Sequence, residues 1–367
     1  MKNVIRWLPA VIVPVLVVGG ALAAPAVANA ASAPPSRTAQ QVLALIAASK
    51  DAAYSGTIQQ SSDIGLPQLP SVGPGSSIAG SDSASQLLDL LTADHSVRLF
   101  VDGATKERVQ LLDSLAERDV VRNGDEVWSY DSKTKKATHL TITAHAPGTH
   151  APGIPAPETR RPGTLALSPA QLADEFISAI EPSTKVSVTS TASVAGRAVY
   201  QLELTPKTSA TLISHVTLSV DAATGLPLKV VVDARGQKSD AFAVGFSSID
   251  YSTPAAALFD FAPPKGATVS SPAVPAEPAP SNGAASTHAK PTVTGTGWSS
   301  IVELRAGAAG AAAPSASASQ GKLLDELTTP VGGGRALQTS LLSVLMTSDG
   351  RVFAGAVPIA SLEAAAQ

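Results

Sequence analysis

Apolar and polar residues alternate with a period of two in four consecutive runs of the second half of the chain. Ala198, Tyr200, Leu202 and Leu204 alternate with Val199, Gln201, Glu203 and Thr205. Val216, Leu218 and Val220 then alternate with residues 215–221. Leu228, Val230 and Val232 follow, and after them Phe242, Val244 and Phe246. Strand side chains point to opposite faces in turn, so each run has one apolar face and one mostly polar face. Short connections favour antiparallel pairing, and the pattern predicts one curved sheet with a continuous apolar surface.

The first half carries the same signal in shorter pieces. Thr38 to Ala53 predicts a helix, with Thr38 as cap and Gln41 as its capping-box partner. Strands are predicted over 55–61, 97–101, 106–112, 117–121, 126–130 and 137–142. Asp102-Gly103 and Asn123-Gly124 supply hairpin turns. A Gly/Ser/Pro-rich loop over 62–85, a short helix over 86–93 and a Pro/Gly/His loop over 143–164 interrupt them. Ser168 to Ile180 predicts a third helix, capped by Ser168 with Pro169 at its first position. Residues 270–296 form a Pro/Ala-rich linker. Residues 297–367 form a small C-terminal α+β unit: a strand over 298–304, a short helix over 322–327, a hairpin of 337–346 with 351–357, and a helical tail from Ile359. About 70 residues is small for an independent core, so this unit is expected to dock on the main domain or remain loosely ordered.

Composition narrows the chemistry. The 367 residues contain no cysteine, which excludes disulfides, thiol catalysis and lipid attachment at a cysteine. Lys2 and Arg6 precede an apolar run from Trp7 to Ala24, followed by the A-x-A sites Ala28-Asn29-Ala30 and Ala31-Ser32-Ala33. Residues 1–30 therefore read as an export signal or, alternatively, as an uncleaved anchor interrupted by Pro9 and Pro14. Removing them takes away two basic residues and no acidic one, so the net charge of −3 becomes −5. A mildly acidic chain without basic patches speaks against nucleic-acid binding.

Four blocks in order resemble the LolA/RseB-like lipoprotein-carrier superfamily. They are Tyr54-Ser-Gly-Thr-Ile-Gln-Gln60, Asn123-Gly-Asp-Glu-Val-Trp-Ser-Tyr-Asp131, the segment 221–232 with Gly225-Leu-Pro227, and Phe259-Asp-Phe-Ala-Pro-Pro-Lys-Gly-Ala-Thr-Val269. The run from Leu341 to Pro358 is similar to tails of actinobacterial members. The resemblance covers residues 38–269, within a domain bounded at 31–269. It implies an α+β fold: a half-open antiparallel β-barrel closed by helices. It also implies a non-enzymatic, exported protein without cofactor, acting at the outer face of the cytoplasmic membrane or secreted, that carries or senses acyl chains of lipids or lipoproteins. A related branch regulates by binding a membrane anti-sigma partner, which stays open here as the alternative. The chain is expected to be a monomer.

The residues expected to line an acyl-chain cavity are Val97, Leu99, Trp128, Tyr130, Tyr200, Leu202, Leu204, Val216, Leu218, Val230, Val232, Phe242, Val244 and Phe246. For any one of them packing against the helices is the simpler explanation. The set as a whole offers more apolar area than three short helices cover, and a hollow there would gain about 0.8 kcal/mol per buried CH₂. Other chemistries find little support. His139, His145 and His150 match no compact zinc spacing and read as a solvated loop. No Gly-x-Ser-x-Gly, His-Glu-x-x-His or phosphate-cradling loop is present, and no catalytic or metal residue is assigned.

Overall fold

In the computed structural model the described residues are 34–49, 51–65, 95–113, 116–142, 168–178, 183–271, 292–305 and 327–367. The expected leader, the 62–85 loop beyond residue 65, the 86–93 helix, the 143–164 loop and most of the linker lie outside them.

Twelve strands form one sheet. In chain order these are β1 (Ala53–Ser62), β2 (His95–Asp102), β3 (Lys106–Asp113), β4 (Ala116–Asn123), β5 (Glu126–Asp131) and β6 (Lys136–Thr141), then β7 (Thr184–Val194), β8 (Arg197–Pro206), β9 (Ile213–Asp221), β10 (Pro227–Ala234), β11 (Phe242–Asp250) and β12 (Thr268–Ser270). Their spatial order is β12-β6-β5-β4-β3-β2-β1-β11-β10-β9-β8-β7. Two antiparallel meanders, β2–β6 and β7–β11, are thus joined through β1, which pairs with β2 on one side and β11 on the other. Only β12 pairs parallel, on the edge of β6.

The sheet is open but strongly bent. The backbones of β7 and β11 come within 8 Å of each other. Four strand spacings in a flat sheet would hold them about 19 Å apart. The sequence pattern does not predict β7, because six of its eleven residues are Ser or Thr, which blunts the alternation.

Among the described residues, two helices lie against the bend. α1 (Ala39–Ala48) begins with the expected capping box: the Thr38 hydroxyl accepts from the Gln41 N–H, and the Gln41 side chain accepts from the Thr38 N–H. It stops five residues earlier than its apolar pattern suggested. α2 (Pro169–Ser178) repeats the device with Ser168 and Gln171 and packs on β10 and β11.

The turn after β9 fixes how closely α1 can approach. Gly225 has φ +79°, and a Cβ there would stand 2.3 Å from the Leu45 carbonyl oxygen. Gly225→Ala is expected to cost on the order of 2 to 3 kcal/mol by combining left-handed strain with displacement of α1. Thermal unfolding of the variant checks this.

The C-terminal residues build a second, six-stranded antiparallel sheet. It comprises β13 (Thr292–Thr294), β14 (Ile301–Arg305), β15 (Thr329–Val331), β16 (Gly334–Gln338), β17 (Ser343–Thr347) and β18 (Arg351–Gly355), ordered β13-β14-β18-β17-β16-β15. The expected single strand over 337–346 is broken into β16 and β17 by a turn in which the Thr339 hydroxyl accepts from the Leu341 and Leu342 N–H groups. Trp298, expected at the start of a strand, sits instead on a 3₁₀ turn. α3 (Ile359–Ala366) covers one face, and Ile301, Ala336, Leu345, Phe353, Val357 and Leu362 form a core of their own.

Candidate functional site

Register decides which side chains share the concave face. Ile58 stands between Val97 and Phe246, and Val97 pairs with Leu111. On the other side, Phe242 and Val244 pair with Val232 and Val230. These pair in turn with Val216 and Leu218, and those with Leu204 and Leu202. Twelve of the fourteen candidate residues therefore fall on one continuous face running across both meanders. Tyr54, Ile58, Val109, Leu111, Val120, Val127 and Leu228 complete its core and had not been singled out.

The hollow expected beneath the sheet is filled. Val97, Leu99, Leu202, Leu204, Val216, Leu218, Val230, Val244 and Phe246 are all 4% exposed or less, and Val232 is 5% exposed. Their cover includes Ala39 and Leu43 of α1, Ala173 and Ile177 of α2, and two residues of the second unit, Trp298 and Leu341. Phe242 is half-buried at the rim.

Each end of the bend is stopped by a different element. At one end Val42 and Ile46 of α1 pack on Tyr200 and Val220. The Tyr200 hydroxyl donates to the Pro35 carbonyl at 2.8 Å and accepts from Arg37 Nε at 3.2 Å, so this candidate is committed to holding the N-terminal helix. At the other end the second unit docks. Trp298 Nε1 donates to Thr184 Oγ1 at 2.8 Å. The Leu212 N–H and the Thr211 hydroxyl both donate to the Ala356 carbonyl at 2.8 Å, and the Ser340 N–H donates to the Ile64 carbonyl at 2.8 Å.

Trp128 and Tyr130 do not belong to this face. Val109 pairs with Val120, and Val120 with Ser129, so Val121, Trp128 and Tyr130 point to the convex side. There the chain after β11 crosses back over β3 and β4 as a belt and ends as β12. Phe259 is 1% exposed beneath it, and the Phe261 ring lies 5.5 Å from Trp128 and 6.0 Å from Tyr130. Arg108 holds the belt by donating to the Leu258 carbonyl at 3.1 Å while forking onto Asp119. Burial pushes the Asp119 carboxyl up, against the pull of Arg108. His139 stacks on Trp128 with ring centroids 4.3 Å apart and bonds to Glu126. The expected histidine-containing loop residues 145 and 150 lie outside the described residues. Among the described residues no group of three or more His, Asp or Glu stands close enough to hold a metal ion.

A second polar network locks the α1 end. Asp221, 1% exposed, accepts from Arg197 Nε at 2.7 Å, the Tyr251 hydroxyl at 3.0 Å, and the Ala223 and Thr224 N–H groups at 2.8 and 2.9 Å. Burial alone would raise its pKa, but these donors outweigh it and the carboxyl sits below its ordinary value. Burial drives the Tyr251 hydroxyl up to about 12. An open cleft of about 540 Å³ also lies on the sheet, lined by Gln59, Ser61, Ser96, Lys229 and Ser247 together with Ala243 and Phe246, so polar and apolar surface share it about equally.

Residues 91–258 match the family model described as the MucB/RseB N-terminal domain. That segment, a little under half of the chain, is similar to this family, in line with the resemblance carried by the four sequence blocks. Solved structures of similar outline include the Pseudomonas aeruginosa MucA/MucB complex. That match has 16% identity and TM-score 0.42, and covers 88% of this chain and 95% of the other. A LolA superfamily protein of Nitrosomonas europaea matches at 10% identity and TM-score 0.25, covering 62% of this chain and 99% of its own. A conserved protein of Thermus thermophilus matches at 13% identity and TM-score 0.35, covering 64% and 100%. No curated protein matches this chain. The superfamily blocks have clear places in the fold. Tyr54–Gln60 is the central strand β1, residues 123–131 form the hairpin into β5, Gly225 seats α1, and Phe259–Val269 is the belt.

Proposed function

We propose that this chain is a non-enzymatic, extracytoplasmic binding protein that takes an acyl chain of a lipid or lipoprotein onto its concave apolar face. The supporting observation is the continuity of that face: twelve candidate residues share it across five strands, without a charged side chain among them. Such a surface recognises hydrocarbon by area alone, at about 0.8 kcal/mol per CH₂, and implies loose head-group specificity. The family-model match and the leader-like N-terminus support an exported protein.

A regulatory reading is favoured by a separate observation. The matching family model is that of the MucB/RseB N-terminal domain, and a second folded unit is docked on this one. In the Pseudomonas aeruginosa structure MucB is in complex with MucA. A membrane protein partner held by the second unit would make this chain a sensor rather than a shuttle.

Native mass spectrometry of protein purified without detergent tests the binding reading. Co-purifying lipid, or uptake of an added fatty-acyl probe, is the expected result. A bare polypeptide that takes up no probe overturns it. Deleting residues 297–367 then separates carrier from regulator: lipid uptake retained with loss of membrane-partner capture is the regulator's outcome.

A further inference from the structure

The concave face is buried in this structure, so an acyl chain needs something to withdraw. The two ends of the bend differ in how readily they can open. α1 is joined to β1 by four residues, is pinned through Tyr200 and Pro35, and sits against the backbone at Gly225. It cannot leave without dragging β1 out of the centre of the sheet. The second unit has its own core and its own six-stranded sheet, and it is joined to the first through residues 271–291. It can therefore separate as a folded body.

What it inserts is apolar. Trp298 is 9% exposed and packs, with Leu341, against the same cluster as Val97, Leu202 and Phe246. The strand ends gathered at this mouth are the end of β1, the starts of β7 and β9 and the end of β10. Among the described residues their hydrogen bonds to the second unit include Trp298 to Thr184, Leu212 and Thr211 to Ala356, and Ser340 to Ile64 and Asp63. Each of those groups regains water when the units part, so the polar ties resist separation weakly. An indole suits a removable stopper, because its ring is apolar while its N–H finds a partner at the rim. The 3₁₀ turn that carries Trp298 begins at Gly297, φ +55°, two residues after Gly295 at φ +83°, left-handed positions that glycine takes without strain.

We propose that Trp298 and Leu341 occupy the mouth through which an acyl chain reaches the concave face, so that ligand and docked second unit exclude one another. The inference rests on the acyl-binding reading above. Ligand binding and undocking are then coupled with reciprocal effect: what loosens docking tightens ligand binding, and ligand drives the units apart. An acyl chain arriving at the face becomes a change in the position of the second unit, which is a signal a partner can read.

The test uses the full mature chain and dansyl-undecanoic acid as probe, with wild type, Trp298→Ala, Trp298→Phe and Thr184→Val compared by fluorescence titration. Trp298→Ala is expected to tighten apparent affinity by about fivefold to tenfold, because a larger fraction of molecules is open before ligand arrives. Thr184→Val, which removes only the rim acceptor, is expected to tighten it by a smaller factor, and Trp298→Phe to stay near wild type. Small-angle scattering of wild type is expected to show an increased radius of gyration on probe addition. If wild type binds the probe, but Trp298→Ala and Thr184→Val leave affinity unchanged or weaker and the radius does not move, the stopper is wrong and the binding reading stands. If no variant binds the probe, both fall.

Discussion

Phe259→Ala should destabilise the first unit by about 3 to 5 kcal/mol, the range for removing a fully buried aromatic ring. Phe259 is 1% exposed and lies under the belt on the convex face. The belt has few other holds: Arg108 on the Leu258 carbonyl, Phe261 on Trp128 and Tyr130, Asn123 on Asp260, and β12 on β6. Losing the ring leaves a cavity against β3 and β4, the strands on which this part of the belt packs. Phe261→Ala is the control. Phe261 is half-buried, so its truncation is expected to cost about 1 to 2 kcal/mol. Urea unfolding followed by tryptophan emission measures both, and equal costs for the two would overturn this account of the belt.

Asp221→Ala is expected to cost about 3 kcal/mol. Removing one partner of a buried ion pair leaves the other group's bonds unmade, and here two backbone N–H groups and the Tyr251 hydroxyl also lose their acceptor. Arg197 is 38% exposed and recovers water, which keeps the figure at the lower end of the buried-pair range. The pH dependence has a definite sign. Asp221 has a folded-state pKa below its ordinary value of 3.8, so its stabilisation is fully present above pH 3.8 and is lost as pH falls through the folded value. Asp119 runs oppositely. Its raised pKa favours the fold at low pH, and that contribution fades as pH rises above 3.8. Asp221→Asn should therefore remove the part of the acid-side fall that belongs to Asp221, leaving those of Asp250 and Asp349 and the Asp119 trend, so the stability curves of wild type and variant converge as pH falls below 3.8. Curves that stay parallel through that region would contradict the assignment.

Much of this architecture was legible in the chain. Strong alternation, Asx-Gly turns, the Thr38 capping box and the Ser168-Pro169 helix start place β2–β6, β8–β11, α1 and α2. The failures have physical causes. β7 buries few large side chains, and its Ser and Thr residues hide the period of two. Trp128 and Tyr130 were grouped with the concave set because alternation says which residues of one strand share a face, not which face that is. The answer lay in counting across turns: Asn123 pairs with Glu126, which sets Trp128 opposite Val121 and away from Val120. Trp298 was taken for a strand residue although Gly295 and Gly297 beside it are turn signals. That the concave face is filled depends on which distant elements dock there, and no local pattern carries that information.

The position of β1 has a consequence for how the molecule is made. Its residue Ser55 pairs with Phe100 on one side and with Asp250 on the other. The first neighbour is close in the chain, while the second emerges almost two hundred residues later. Each meander can assemble by itself from nearby hairpins, but the two halves cannot be zipped together until β11 has been synthesised. Ordering a seam of such long range is slow. Until then the nascent chain presents β1 with one edge unsatisfied and an oily flank uncovered, which makes this interval the one in which a chaperone would matter most.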